Sequence, residues 1–210
     1  MHRRSFLLSL LACIALLSSA FAQDQHPKQT VYDFSLVDLD GKVVSLSAYK
    51  GKLLLIVNLA SQSTFHDQMA ALNDLAKTYA SDGLVVLGIP SSDFGGQELT
   101  DAAALRKYYT ETVHAAFPVF TRATLTGPQT IPLYRFLSDA KQSVPGGDIH
   151  WSFTKFLIDR QGQPLARYEA GEDPADIGFH VLIEKAIAGK LKKQSSEKKD
   201  DTAAGDDDDE

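Results

Sequence analysis

The 210-residue chain holds a single cysteine, Cys13, along with one tryptophan and two methionines. Cys13 lies inside the apolar run "SFLLSLLACIALLSSAFA", which follows Arg3 and Arg4 and closes on Ala20-Phe21-Ala22. A short basic region, an apolar run and an A-x-A ending form the pattern of a secretory signal peptide, so residues 1–22 read as a segment cut near Ala22. Cleavage as a lipoprotein just before Cys13 fits less well, because the apolar run continues past it. As a membrane anchor the run barely reaches the ~18–20 residues that a span needs. With that segment removed, no cysteine remains, which excludes both a disulfide and a sulfur nucleophile from the processed chain. The expected location is therefore outside the cytoplasm, periplasmic or secreted, with no membrane attachment after cleavage.

Positive charge is also scarce. Lys and Arg number 21 against 27 Asp and Glu, for a formal charge of −6. From Ser196 onward there are eight acids and two lysines, a net of −6 that accounts for the whole imbalance. The body is thus close to neutral, shows no basic patch in its sequence, and makes nucleic acid an unsuitable partner. The end of the chain, "KKQSSEKKDDTAAGDDDDE" (192–210), has almost no apolar residue and reads as a disordered, solvated acidic tail. Its acidic run lacks the glycine and spacing of an EF-hand loop.

Between a short linker (23–30) and that tail, residues 31–191 have the composition of one ordinary domain. "KVVSL" (42–46) follows the turn "DLDG" and reads as the second arm of a hairpin. "KLLLIVNLA" (52–60) is a continuous apolar run, as in a central strand covered on both faces. In "HDQMAALNDLAKTYA" (66–80), Met69, Leu72, Leu75, Ala76 and Tyr79 recur at three- and four-residue spacing, which predicts an amphipathic helix beginning near His66. "LVVLGIP" (84–90) reads as a second buried strand. Helical stretches follow at 101–113 and 132–139, with a strand pair at 154–170 turning at Gln161-Gly162 and a last helix at 174–189. This order predicts a three-layer α/β domain.

Chemistry is expected where the first buried strand opens into "SQSTF" (61–65). A nucleophile in such a turn would sit near a helix N-terminus, whose partial positive charge favours a thiolate. Here the candidate is Ser63, whose hydroxyl stays protonated unless an adjacent base removes its proton. His66 is three residues away, but nothing in the sequence orients it as a triad requires. His114, His150 and His180 stand singly, no spacing suggests a metal site, and Gly95-Gly96 is too sparse for a phosphate loop.

Several blocks together resemble one family. "YDFSLVDLDGKVVSLSAYKGKLLLIVNLASQS", "GLVVLGIPSSDFGGQE", "FPVF" and "IHWSFTKFLIDRQGQPLARY" occur in the order and spacing of glutathione peroxidases, over residues 32–188. The resemblance implies a thioredoxin-like α/β fold, with a central mixed β-sheet flanked by helices and an N-terminal β-hairpin. It also implies a peroxidatic site at Ser63, Gln97, Trp151 and Ser152. Gln97 and Trp151 match that pattern. Ser63 stands where the family has cysteine or selenocysteine, and Ser152 where it has asparagine. Thr64 replaces the glycine after the nucleophile, and Ser92-Asp93-Phe94 replaces the usual N-Q-F. The family's resolving cysteine has no counterpart.

Three functions remain open at this point. The chain is a pseudo-peroxidase that binds a small-molecule ligand or protein partner. Alternatively, it is a working peroxidase of the oxidative stress response, with glutathione or thioredoxin as reductant and no resident cofactor. The third is a hydrolase or transferase with Ser63 as nucleophile and His66 as base. Family members with a short segment between Tyr134 and Trp151 are usually monomers, so a monomer is expected.

Overall fold

A computed structural model describes residues 28–139 and 146–194. The signal-like run, part of the segment that bears on the monomer expectation, and the acidic tail from residue 195 lie outside the described residues.

The order of elements is β1 (Ser35–Val37), β2 (Val43–Ser45), β3 (Leu53–Leu59), α1 (Gln68–Thr78), β4 (Leu84–Pro90), α2 (Ala102–Lys107), α3 (Pro132–Ser138), β5 (Lys155–Ile158), β6 (Pro164–Tyr168) and α4 (Ile177–Ile187). Strands β1 and β2 form a separate antiparallel hairpin. Its turn closes because Asp38 Oδ1 accepts the N–H groups of Asp40 and Lys42, both at 2.9 Å. Gly41 there adopts φ 80°, which a side chain would resist.

The main sheet has the order β4-β3-β5-β6 and is mixed. β3 runs parallel to β4 from Leu53↔Leu84 to Leu59↔Pro90, and antiparallel to β5 through Val57↔Lys155. All seven residues of β3 are buried, because alternate side chains face opposite cores. Leu53, Leu55, Val57 and Leu59 meet Met69, Leu72 and Leu75 of α1 and Phe179 and Ile183 of α4. Leu54 and Ile56 face Leu36 of the hairpin and Leu133, Tyr134, Phe136 and Leu137 of α3. The expected three layers are present.

Two expectations need correction. The helix expected from His66 begins two residues later, at Gln68, because residues 61–67 form a run of tight turns. His66 N–H donates to Ser63 O at 3.1 Å, and Gln68 N–H to Phe65 O at 3.0 Å. The single helix expected over 101–113 is α-helical only to Lys107 and continues as a π-helical turn, Tyr108–Thr112.

Candidate functional site

β3 delivers the chain to the end of the sheet, and the 61–67 turns carry Ser63 there. The loop entering β5 approaches the same place with Trp151 and Ser152. Ser63 and Ser152, 89 residues apart, meet with their Oγ atoms 2.7 Å apart, and each is only 2% exposed. Ser63 Oγ also accepts the N–H of Phe65 at 3.1 Å. The two serines named from the sequence therefore form one buried hydroxyl pair.

The other two positions flank that pair without a hydrogen bond to it among the described residues. Trp151 is 62% exposed. Gln97 is half-buried; its backbone carbonyl accepts the N–H of Gln62 at 2.9 Å and its side chain folds over Gly95. Among the described residues, no hydrogen bond links the Gln97 amide or the Trp151 indole to either serine. Two hollows of about 610 and 660 Å³ are lined elsewhere, one by Asp93, Arg135 and His150, the other by Phe34, Arg122 and Ile131.

The helix dipole expected at Ser63 does not reach it. Ser63 lies five residues before Gln68, and the first amides of α1 are bonded to Phe65, His66 and Asp67 carbonyls. The donor at Ser63 Oγ is instead a loop amide, that of Phe65. His66 does not serve as its base either. Its Nδ1 lies 2.8 Å from the backbone oxygen of Ser63, its Nε2 lies 3.1 Å from Asp67 Oδ1, and its ring is exposed. A general base must reach the proton that it abstracts, and this ring faces the wrong oxygen. Gly95 and Gly96, at φ 73° and 70°, form a turn. Asp93, one of the departures from the family pattern, holds the Leu125 and Thr126 amides through Oδ2 at 2.6 and 3.0 Å. Among the described residues, no three His, Cys, Asp or Glu side chains are placed to hold a metal ion.

Sequence reasoning missed what holds the Trp151–Thr154 loop. Asn58 is fully buried on β3, and its Nδ2 donates to Trp151 O at 2.9 Å. Thr154 Oγ1 donates to the same carbonyl at 3.0 Å, and Phe153 N–H donates to Asn58 O at 2.6 Å. Phe153 is held in the left-handed region at φ 63°, a costly conformation for an aromatic residue that persists where its surroundings enforce it. One polar residue in an otherwise apolar buried strand was the signal available. Beside Gln97, buried Glu98 accepts the Tyr109 hydroxyl at 2.5 Å. Burial, followed by the nearby Glu98 carboxyl, pushes the Tyr109 hydroxyl far above its ordinary pKa, so it stays a donor.

Similarity to known proteins agrees with this architecture. The family model described as glutathione peroxidase matches residues 31–138. A probable phospholipid hydroperoxide glutathione peroxidase of Solanum lycopersicum is 39% identical over 156 residues, 74% of this chain and 92% of that protein. A glutathione peroxidase of Lactococcus lactis subsp. cremoris is 36% identical over 146 residues, 70% of this chain and 93% of that protein. The crystal structure of T. cruzi GPX1 superposes with a TM-score of 0.59 at 30% identity, covering 76% of this chain and 97% of that one. A thioredoxin family protein from Chlorobium tepidum TLS, 23% identical over 73% of this chain and 92% of its own, shares the fold with a TM-score of 0.55. The fold is thioredoxin-like, and with a matching family model and relatives covered almost end to end, the chain belongs to the glutathione peroxidase family.

Proposed function

We propose that this family member does not reduce peroxides with thiols and is instead an exported pseudo-peroxidase that binds a ligand or partner. The observation that carries the reading is the buried Ser63–Ser152 hydroxyl pair at the position that the family resemblance gives to the nucleophile. Thiol-dependent peroxide reduction needs a thiolate or selenolate that attacks the O–O bond, becomes a sulfenic or selenenic acid and is then reduced again. A serine oxygen has no such oxidised state to cycle through, and this one faces a second neutral hydroxyl. Outside Cys13 the chain holds no other sulfur nucleophile. Serine hydrolase chemistry fares no better, because His66 is turned to the Ser63 carbonyl. Export rests on residues 1–22 alone.

The test is consumption of hydrogen peroxide and of an organic hydroperoxide by the purified protein, with glutathione and with thioredoxin as reductants. Background rates are expected with both. Sustained turnover dependent on either reductant, in material free of contaminating peroxidases, would overturn the proposal.

A further inference from the structure

The end of the sheet opposite Ser63 gathers cations that the sequence scatters. Lys50 and Lys52 precede β3, Arg160 occupies the β5–β6 turn, and Lys190, Lys192 and Lys193 follow α4. The fold brings these three segments around one hollow of about 250 Å³, lined by Leu53, Arg160, Gly189 and Leu191 among others. Arg160 fastens the group together by donating to Gly51 O and Asp82 O, both at 3.0 Å. The five lysines are exposed, and none forms an ion pair among the described residues. Of the acids there, Asp159 is occupied with the Gln161 and Gln163 amides of its own turn, at 2.9 and 2.8 Å, and Asp82 meets Arg160 only through its backbone oxygen.

The chain leaves the described structure alongside β6, next to Leu165, which also lines this hollow. Gln194 is pinned along β6, its N–H donating to Leu165 O at 2.9 Å and its Oε1 accepting the Arg167 N–H at 2.8 Å. Residues 200–210 then carry seven acids and no Lys or Arg. Asp206 lies twelve residues beyond Gln194, a separation whose root-mean-square span as a flexible chain is about 20 Å. A tether of that length would hold the acids within reach of the lysines at about millimolar effective concentration, enough for even weak charge pairing to be populated.

We infer that the acidic segment 200–210 docks on the Lys50/Lys52/Lys190–Lys193 end of its own chain. The occupant satisfies the unpaired lysines, and the contact is held by charge, so salt dissolves it. Docking there leaves the Ser63 end uncovered and does not depend on whether that site is active.

Zero-length carbodiimide cross-linking of the intact chain, read by peptide mass spectrometry, tests this. At dilute protein and low salt, carboxylates 206–210 should join Lys50 and Lys52 at about tenfold the yield found at Lys42 and Lys107, which flank the segments paired by Arg106 and Asp40. In 1 M salt, where the Debye length is about 3 Å, those products should fall to the level of Lys42 and Lys107. Mixing isotope-labelled and unlabelled protein separates links within a chain from links between copies. Uniform yields over all lysines, no link to Lys50 or Lys52, or links mainly between copies would each overturn the inference.

Discussion

At the residue scale, the site turns on which atom stands at position 63 and what surrounds it. The Phe65 amide and the Ser152 hydroxyl both reach Ser63 Oγ. In a Ser63→Cys variant, made in a Cys13→Ser background, the same two donors would stabilise a thiolate, because hydrogen bonds to the charged form lower a pKa. Burial acts the other way, and two donors are expected to prevail. The new thiol should titrate below the ~8.5 of free cysteine and react faster with peroxide than free cysteine does. Thiolate absorbance against pH and the rate of sulfenic acid formation measure this. An ordinary or raised pKa with no rate gain would show that the pocket no longer supports an anion. Rescue should be partial, since Ser152 replaces the amide that the family resemblance expects and the Asp93 carboxyl is engaged with residues 125–126.

At the scale of elements, strand β5 carries a second consequence of burial. Lys155 is fully buried and donates to Glu172 O at 2.8 Å and to Glu169 O at 3.4 Å, tying the loop after β6 to the sheet. Burial lowers its pKa from 10.5 to about 8, partly opposed by the carboxylates of Glu172, Asp173 and Glu169. Below about pH 8 both folded and unfolded chains hold this proton, and the cost of burying the charge is felt in full. Between about 8 and 10.5 the folded chain has released a proton that the unfolded chain keeps, so this group makes stability rise with pH. Against a Lys155→Met variant, wild type should gain about 1–2 kcal/mol in relative stability between pH 7.5 and 9.5. Urea midpoints at both pH values check this, and a constant difference would refute it. Strands β3 and β4, the helix stripe Met69–Tyr79 and the turn at Gln161-Gly162 were legible in the sequence, since each depends on local periodicity. The first turn of α1 was not. Residues 64–67 are compatible with either a helix or tight turns, and the Ser63 contacts decide between them.

At the scale of the whole molecule, β3 is a wall shared by two cores. Leu55 faces α1 and α4, Ile56 faces α3 and the hairpin, and both are fully buried. Cores joined through one strand should melt together. Leu55→Ala and Ile56→Ala are each expected to cost about 2–5 kcal/mol, while leaving a single unfolding transition. Trp151, the only tryptophan, reports the site loop by fluorescence, and far-ultraviolet circular dichroism reports the sheet and helices. Coincident urea curves by the two probes are expected. If the tryptophan signal changes first in either variant, the loop is not part of the cooperative unit, despite its anchorage on Asn58.

The sequence by itself determined most of the element types, the fold class and the lack of cysteine after residue 22, because periodicity and composition are properties of the chain read in order. Tertiary structure decided that Ser63 and Ser152 share one hydrogen bond, that His66 turns to a carbonyl, and that three separate lysine-bearing segments come together around one hollow. Those outcomes depend on how distant segments cross and which rotamers the crossing permits. No local pattern encodes them, since the energy that selects them exists only once the sheet has brought the partners within reach.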